Sequence, residues 1–193
     1  AGPKVAEAMQ FGDHGTTFLF SGQEVPKDSP RTDAYGDLDE LVSVLGVARC
    51  QARQAEVLGA LLMLQRDLFT VGAELATDAE QVGQLKQRMD AVALQEFEAQ
   101  RDRLEASITM PDGFIIPGGS GSVASAHIDH ARTIARRLER KTVSLARSGL
   151  VRNEHLLIWL NRLSDYLWLL ARREEGHSLL LKEARASSGN EST

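Results

Sequence analysis

The feature that most constrains the fold is the spacing of the apolar residues, which recur every three or four positions through most of the chain. Ala34, Leu38, Leu41, Leu45 and Ala48 follow this spacing. An α-helix turns once in about 3.6 residues, so residues spaced this way lie on one face. No stretch of useful length alternates apolar and polar residues, and no repeat period is present. The spacing therefore predicts an all-α fold in which each helix buries one face.

Five helical stretches are expected, joined by mostly short loops, and together they predict an up-and-down five-helix bundle. Asp78 is a suitable N-cap for the third stretch, and Ser122 or Ser125 for the fourth, which is expected to end near Ser148 and Gly149. The stretches cover residues 34–48, 57–76, 78–107, 122–148 and 151–173. The bundle domain is expected over 11–184, with a flexible segment at 1–10 and a disordered tail at 185–193.

The composition excludes several classes of protein. A net charge of −5 disfavours nucleic acid or an anionic membrane as a partner for the whole surface. Cys50 is the only cysteine, so an internal disulfide or a cysteine cluster for metal is impossible. No apolar run reaches the roughly 18 residues of a membrane helix, and no signal-peptide core is present. We therefore expect a cytoplasmic protein, or a mitochondrial matrix protein if the source is eukaryotic.

A basic stretch, ARTIARRLERK at Ala131–Lys141, lies in the fourth predicted helix. Its apolar residues form one stripe, and Arg132, Arg136 and Glu139 gather on the flank beside it, with Arg140 just beyond. Guanidinium groups arranged in this way can bind phosphate oxygens. Taken alone, the stretch is more typical of a solvated face with salt bridges than of a phosphate site.

Two loops carry further candidate chemistry. The first is rich in glycine and hydroxyl groups, which suit phosphate oxygens, although it lacks the Walker pattern. Its candidate residues are Gly12, Asp13, Gly15, Thr16, Thr17 and, further on, Lys27. The second, TMPDGFIIPGGSGS at residues 109–122, holds Phe114, Ile115 and Ile116 between turn-forming residues. This apolar triplet indicates a loop that folds over a ligand or one that closes the end of the bundle.

Other catalytic constellations are poorly supported. A di-iron bundle needs two Glu-x-x-His motifs, and only Glu174–His177 has this form. His127 and His130 stand three residues apart, a pattern more typical of polar surface than of a metal site. No GxSxG nucleophile motif occurs. We predict no protein-bound metal.

Six motifs taken together resemble the PduO-type ATP:cob(I)alamin adenosyltransferases. In chain order they are GDHGTT, PKD, AYGDLDEL, FIIPGG, RTIARRLER and NRLSDYLWLLAR, and they span about residues 11–173. The resemblance implies a five-helix bundle that assembles as a homotrimer, with ATP bound between subunits and the corrinoid close by. It also implies a reaction in which Co(I) attacks C5′ of ATP and expels triphosphate, forming adenosylcobalamin. Mg²⁺ is then expected with the triphosphate, and a reductase and an adenosylcobalamin-dependent mutase are possible partners.

The resemblance also implies roles for individual residues. The glycine-rich loop and Lys27 would line the phosphates, and Asn161 would complete the nucleotide pocket. Phe114 would pack beneath the corrin, and Asp165 would hydrogen-bond near the same place. Asp39 would pair with Arg132 of an adjacent subunit. The family's nucleotide-binding RRxER run corresponds to Arg136, Arg137, Glu139 and Arg140.

The chain departs from the family pattern at a few positions. Met9-Gln10-Phe11 replaces the usual Thr-x-x start, which leaves phosphate contacts there in doubt, and His14 stands where lysine is common. Trp168 replaces a common phenylalanine, a change that packing should tolerate. The alternative function is a helical corrinoid- or nucleotide-binding or regulatory protein without catalysis. Neither the preferred corrinoid nor the partner enzymes can be predicted from the sequence.

Overall fold

The computed structural model describes residues 12–188, and within this range the predicted helical fold is confirmed. The six α-helices of the described chain are α1 (Pro30–Gln51), α2 (Ala55–Leu75), α3 (Ala91–Ala106), α4 (Val123–Arg147), α5 (Glu154–Glu175) and α6 (Leu181–Ser188). Two short strands, β1 (Thr16–Phe18) and β2 (Glu24–Pro26), precede them, and a 3₁₀ turn spans Val82–Gln84. None of the helices within 12–188 is both long and apolar enough to span a membrane.

The five long helices share one hydrophobic core. Helix α4 packs between α1 and α5, while α2 packs on α1 and α3 packs on α5. The predicted stripe of α1 is buried from Ala34 to Ala48, and the predicted stripe of α4 is buried from Ala131 to Leu145. Trp159 of α5 is completely buried, and its ring lies 5.1 Å from that of Phe97 of α3. The three- and four-residue spacing therefore identified the buried faces of α1 and α4 correctly.

Polar residues define where the helices begin and end. The Ser29 side chain accepts a hydrogen bond from the Thr32 amide, with Pro30 at the start of α1. Ser122 caps α4 in the same way, through the Ser125 amide. Helix α2 has no cap of its own; instead Glu174 of α5 accepts the amides that precede it. These contacts fix the helix ends, and with them the loops at each end of the bundle.

The prediction of a third helix starting at Asp78 is wrong, because α3 begins only at Ala91. The Asp78 carboxylate does accept the Glu80 amide, but the turn that follows ends as the 3₁₀ turn at Val82–Gln84. The Met89 amide donates to the buried carboxylate of Glu74 at 2.5 Å, so it is not available for a helical hydrogen bond to the residue four positions earlier. Asp90 supplies the actual N-cap by accepting the Ala93 amide at 2.9 Å.

Two further expectations are corrected near the ends of the chain. Strands β1 and β2 form an antiparallel hairpin in which Thr17 pairs with Val25, although no strand was predicted. Three residues per strand are too few for alternation to be recognised in a sequence. Residues 185–188, expected to be part of a disordered tail, form the last turn of α6. The flexible segment predicted at 1–10, and residues 189–193, lie outside the described residues.

Candidate active site

The candidate site is centred on the outer face of α4, which lies between α1 and α5. Arg132, Arg136 and Arg140 follow one another at intervals of four residues and so share this face. Arg136 and Arg140 are exposed, and neither forms an ion pair or a side-chain hydrogen bond with any residue from Gly12 to Ser188. Arg132 is half-buried, with Nε 3.6 Å from the Asp129 carboxylate. Within the described part of the chain, the face therefore offers to an anionic ligand two guanidinium groups that no other side chain occupies.

The edge of this face toward α5 is formed by Glu139 and Asn161. The Asn161 side-chain amide donates a hydrogen bond to Glu139 Oε1 at 2.9 Å. Asp165 lies one turn further along α5, exposed to solvent. The structure thus brings Asn161 next to the arginine run, as its predicted role in the nucleotide pocket requires.

The edge toward α1 is a set of ion pairs. The Arg137 guanidinium is 3.1 Å from Asp37 and also contacts Glu40, while Lys141 lies 2.7 Å from Asp33 and 3.0 Å from Asp37. Burial lowers the pKa of Arg137, but the neighbouring carboxylates outweigh this effect and the net shift is upward. Arg137, predicted to face the nucleotide, is therefore already bound to α1 within the single chain.

Asp39 points away from this set of ion pairs. It is two residues beyond Asp37, which at about 100° per residue places it on nearly the opposite side of α1. Its carboxylate is exposed and has no partner within the described chain. Asp39 and Arg132 are thus not paired in one subunit, and a contact between them needs a second copy.

The glycine-rich loop forms the β1–β2 hairpin and the turn before it. Gly12 lies against Lys27: a Cβ added at Gly12 would be 2.4 Å from Nζ. The Thr16 hydroxyl donates to Glu24 at 2.7 Å, and the backbone amide of Lys27 donates to the Gly15 carbonyl at 2.9 Å. The six predicted residues therefore lie together, with Asp13 and Gly15 exposed and Thr17 half-buried.

The hairpin and the Phe114 loop lie at opposite ends of the bundle. The Phe20 amide of the hairpin donates to Ala76, just after α2 ends, and Arg31 joins this end to Leu150, just after α4 ends. The Phe114 loop instead leads directly into the start of α4, whose 25 residues span about 37 Å. Phe114 itself is 82% exposed. One chain therefore does not place its hairpin and its Phe114 side by side.

None of the arginines of this face lines any of four concave pockets among the described residues, whose volumes lie between 290 and 890 Å³. The pocket of 290 Å³ is lined by the predicted site residue Asp165 of α5, together with Met110 and Trp168. The described residues also hold no group of three or more His, Cys, Asp and Glu side chains placed to bind a metal ion.

Sequence reasoning missed a buried charge network at the end of the bundle near Phe114. Arg172 of α5 lies 2.5 Å from Asp129 of α4 and 2.7 Å from Glu175, and all three side chains are almost fully buried. Asp129 stands in the sequence between the buried residues Ile128 and Ala131. A carboxylate so close to an apolar stripe was a usable signal, because buried charges require partners.

Comparison with known proteins identifies the family to which this arrangement belongs. Residues 8–174 match the family model of cobalamin adenosyltransferases. The chain is 44% identical over 164 residues to a corrinoid adenosyltransferase of Citrobacter freundii, covering 85% of this chain and 92% of the relative. It is 42% identical to the corrinoid adenosyltransferase PduO of Salmonella typhimurium, of which it spans 48% of the length.

A solved structure agrees with the sequence comparison. A variant of the PduO-type ATP:corrinoid adenosyltransferase from Lactobacillus reuteri, complexed with cobalamin and ATP, superposes with a TM-score of 0.77 at 31% identity. The match covers 89% of this chain and 96% of that one. With its basic helix face, glycine-rich hairpin and aromatic loop, this chain belongs to the cobalamin adenosyltransferase family.

Proposed function

We propose that the chain transfers the 5′-deoxyadenosyl group of ATP to the cobalt of cob(I)alamin or a related corrinoid. The cobalt nucleophile attacks C5′, the C5′–O bond breaks, and triphosphate leaves with the electron pair of that bond. The corrinoid supplies the nucleophile, so the protein's task is to bind and orient the substrates and to stabilise the leaving group. The observation that carries this proposal is the pair of guanidinium groups of Arg136 and Arg140, which have no partner among residues 12–188, on a chain of this family.

The phosphate end of ATP would lie between this face and the glycine-rich hairpin. Arg136 and Arg140 can donate to triphosphate oxygens, and Lys27 adds a point charge beside the open backbone of Gly12. Glu139 and Asn161 form a polar rim that suits the nucleoside. Mg²⁺ would be held chiefly by the triphosphate and by water, because this ion usually takes only one or two ligands from a protein that binds phosphates.

The exposed Phe114 ring would contact the corrin from below and displace its lower axial ligand. Removal of that donor ligand makes Co(II) easier to reduce. Asp165 would hydrogen-bond near the same substrate. Solvent exposure of 82% for a phenylalanine ring fits a surface that a substrate covers.

The complete site would form between subunits of a homotrimer. Two observations support this arrangement: the hairpin and Phe114 lie at opposite ends of one chain, and Asp39 has no partner within its own described chain. A second subunit could bring its hairpin to the arginine face and its Asp39 to Arg132. A cytoplasmic or matrix location, a reductase that supplies Co(I) and a mutase that receives the product belong to the same proposal.

The test is a mixture of the protein with pre-reduced cobalamin, ATP and Mg²⁺, followed by visible absorbance. We expect conversion to the adenosylated, light-sensitive corrinoid and release of one triphosphate per turnover. Within this assay, Arg140→Ala removes one of the proposed phosphate contacts. Arg66→Ala, which removes an exposed arginine of α2, is its matched control. Tight binding of ATP and cobalamin without any conversion, beside an active control enzyme, would show a binding protein instead.

A further inference from the structure

The chain that follows α5 is bound along the Phe114 loop. We call residues 176–182 the C-terminal strap; it lies beyond the residues 8–174 that match the family model. Gly176, with a φ of +70°, ends α5 and reverses the chain. The Ser178 hydroxyl then donates back to the carboxylate of Glu175. These two residues direct the strap away from α5 and toward the loop.

The strap pairs with the loop as a single antiparallel bridge. The Ile116 amide donates to the Leu179 carbonyl at 2.9 Å, and the Leu181 amide donates to the Phe114 carbonyl at 2.8 Å. Ile115 is the bridge partner of Leu180, between these two hydrogen bonds. The strap therefore holds the backbone on both sides of Ile115, beginning at the carbonyl of Phe114 itself.

Side-chain packing reinforces this pairing. Leu179 lies so close to Gly119 that a Cβ added there would be 2.5 Å from the Leu179 Cβ. Lys182 forms an exposed ion pair with Asp112 at 3.2 Å. The strap thus contacts the loop before, within and after the Phe114–Ile116 triplet.

The strap is anchored in the buried charge network described above. Ser120 of the loop and Ser125 of α4 both donate to Glu175 Oε2, at 3.4 Å and 3.0 Å. Glu175 is itself paired with the buried Arg172. The strap joins this network through Ser178, whose hydroxyl donates to the same Glu175 carboxylate, so its movement would break a contact to a buried charge.

We infer that the strap is a positioning element for Phe114, acting through the Leu181 amide. The ring is largely exposed, so the backbone that carries it fixes where the ring stands before a corrin binds. This inference rests on the role proposed above for Phe114. It assigns a part in the reaction to residues outside the matched family domain.

The decisive pair of variants is Leu181→Pro and Leu181→Ala. Proline removes the amide that donates to Phe114, yet it suits this position because Leu181 is the first residue of α6 and the preceding Leu180 lies in a β-bridge. Alanine keeps the amide and removes most of the side chain. Comparable unfolding midpoints for the two variants show that both are folded.

Each variant is assayed from Co(II)balamin with a reductant and from pre-reduced Co(I). We expect Leu181→Pro to slow the Co(II) reaction about fivefold, as for the loss of one hydrogen bond, and to leave the Co(I) reaction within about twofold. Leu181→Ala should resemble the unmodified protein in both. Hydrogen exchange at the Ile116 amide should accelerate in Leu181→Pro alone.

Phe114→Ala separates the failure of this inference from the failure of the proposed role. If the strap acts through Phe114, adding Leu181→Pro to Phe114→Ala has no further effect on the Co(II) reaction. Normal Co(II) kinetics for Leu181→Pro, or equal losses in the proline and alanine variants, would overturn the inference. Equal losses from Co(II) and Co(I) in Phe114→Ala would refute the proposed role of the ring. The strap would then still position Phe114 if Leu181→Pro also caused equal losses from Co(II) and Co(I), and would not if the two losses differed.

Discussion

Neighbouring arginines of α4 have different surroundings although the sequence presents them as one run. Arg136 and Arg140 face solvent, whereas Arg137, only one position from Arg136, is turned by about 100° toward Asp37 and Glu40 of α1. Arg137 thus already stabilises the α1–α4 contact. Whether it also contacts the nucleotide stays a prediction.

Replacing Arg140 tests the contribution of this side chain to ATP binding separately from its contribution to the stability of the fold. We expect Arg140→Ala to raise the KM for ATP about ten- to a hundredfold, because a charge-assisted phosphate contact contributes roughly 1.5–3 kcal/mol. The free energy of unfolding should not change, since the side chain has no partner within 12–188. Arg137→Ala should lower both ATP use and stability, because it also removes a partner of the buried Asp37. A KM for ATP within twofold of normal in Arg140→Ala would contradict the assignment.

A second residue, Asp67 of α2, makes stability depend on pH. Burial, and then the negative charge of Glu96, raise the pKa of the Asp67 carboxyl to about 6. A carboxyl with a raised folded-state pKa contributes stability below its unfolded value near 3.8, and this contribution is lost as the pH rises through about 6. At pH 7 the ionised form therefore destabilises the fold.

Asp67→Asn tests this statement. We expect the variant to be more stable than the unmodified protein at pH 7 by about 1 kcal/mol, after allowance for solvent screening of a partly exposed group. The advantage should shrink as the pH falls from 7 to 4. Urea unfolding across this range measures it, and a stability difference that is constant with pH would show that Asp67 titrates normally.

At the scale of elements, the helices predicted most accurately are those whose apolar stripe is continuous and whose ends carry a capping residue. Helix α4, with its buried stripe and Ser122 cap, is the clearest case. The start of α3 could not be predicted in this way. The segment before α3 is held by Glu74, which accepts the amide of Met89 fifteen residues further along the chain. The sequence also could not predict which arginines of α4 form ion pairs, since the carboxylates that bind Arg137 lie about a hundred positions away in the chain.

The N-cap of α3 gives a test at this scale. Asp90→Ala should destabilise the protein by about 1 kcal/mol, the usual effect of losing a capping side chain. Asp90→Asn keeps an oxygen that can accept the Ala93 amide and should remain close to normal. Denaturant unfolding distinguishes them; equal stability of all three proteins would mean that the cap contributes nothing.

At the scale of the whole molecule, the separation of the hairpin from Phe114 means that, if both serve one site as proposed, they come from different chains. A Lys27→Ala subunit would still offer an intact Phe114 to its neighbour, and a Phe114→Ala subunit would still offer an intact hairpin. Mixed assemblies of the two variants should therefore contain sites in which both residues are native.

Complementation between these variants tests the shared site. Each variant alone should be slow from Co(II)balamin, whereas co-expressed and co-purified chains should regain activity, with about a quarter of the interfaces native in a random mixture. Simple mixing of separately folded proteins without subunit exchange is the control. No recovery in verified mixed assemblies would show that both residues serve the same chain.

The ion pairs between α1 and α4 also have a consequence for biosynthesis. They join residues 97 and 108 positions apart, so about half of the chain must be made between one partner and the other. Contacts of such long range form late, while α1 and α2 can pair as soon as both have left the ribosome. Until α4 has been made, part of the apolar face of α1, formed by Leu38, Leu41 and Leu45, stays exposed to solvent. This exposed face makes the nascent intermediate a target for chaperones. The arginine face on which the nucleotide is proposed to bind is then among the last surfaces that the growing chain completes.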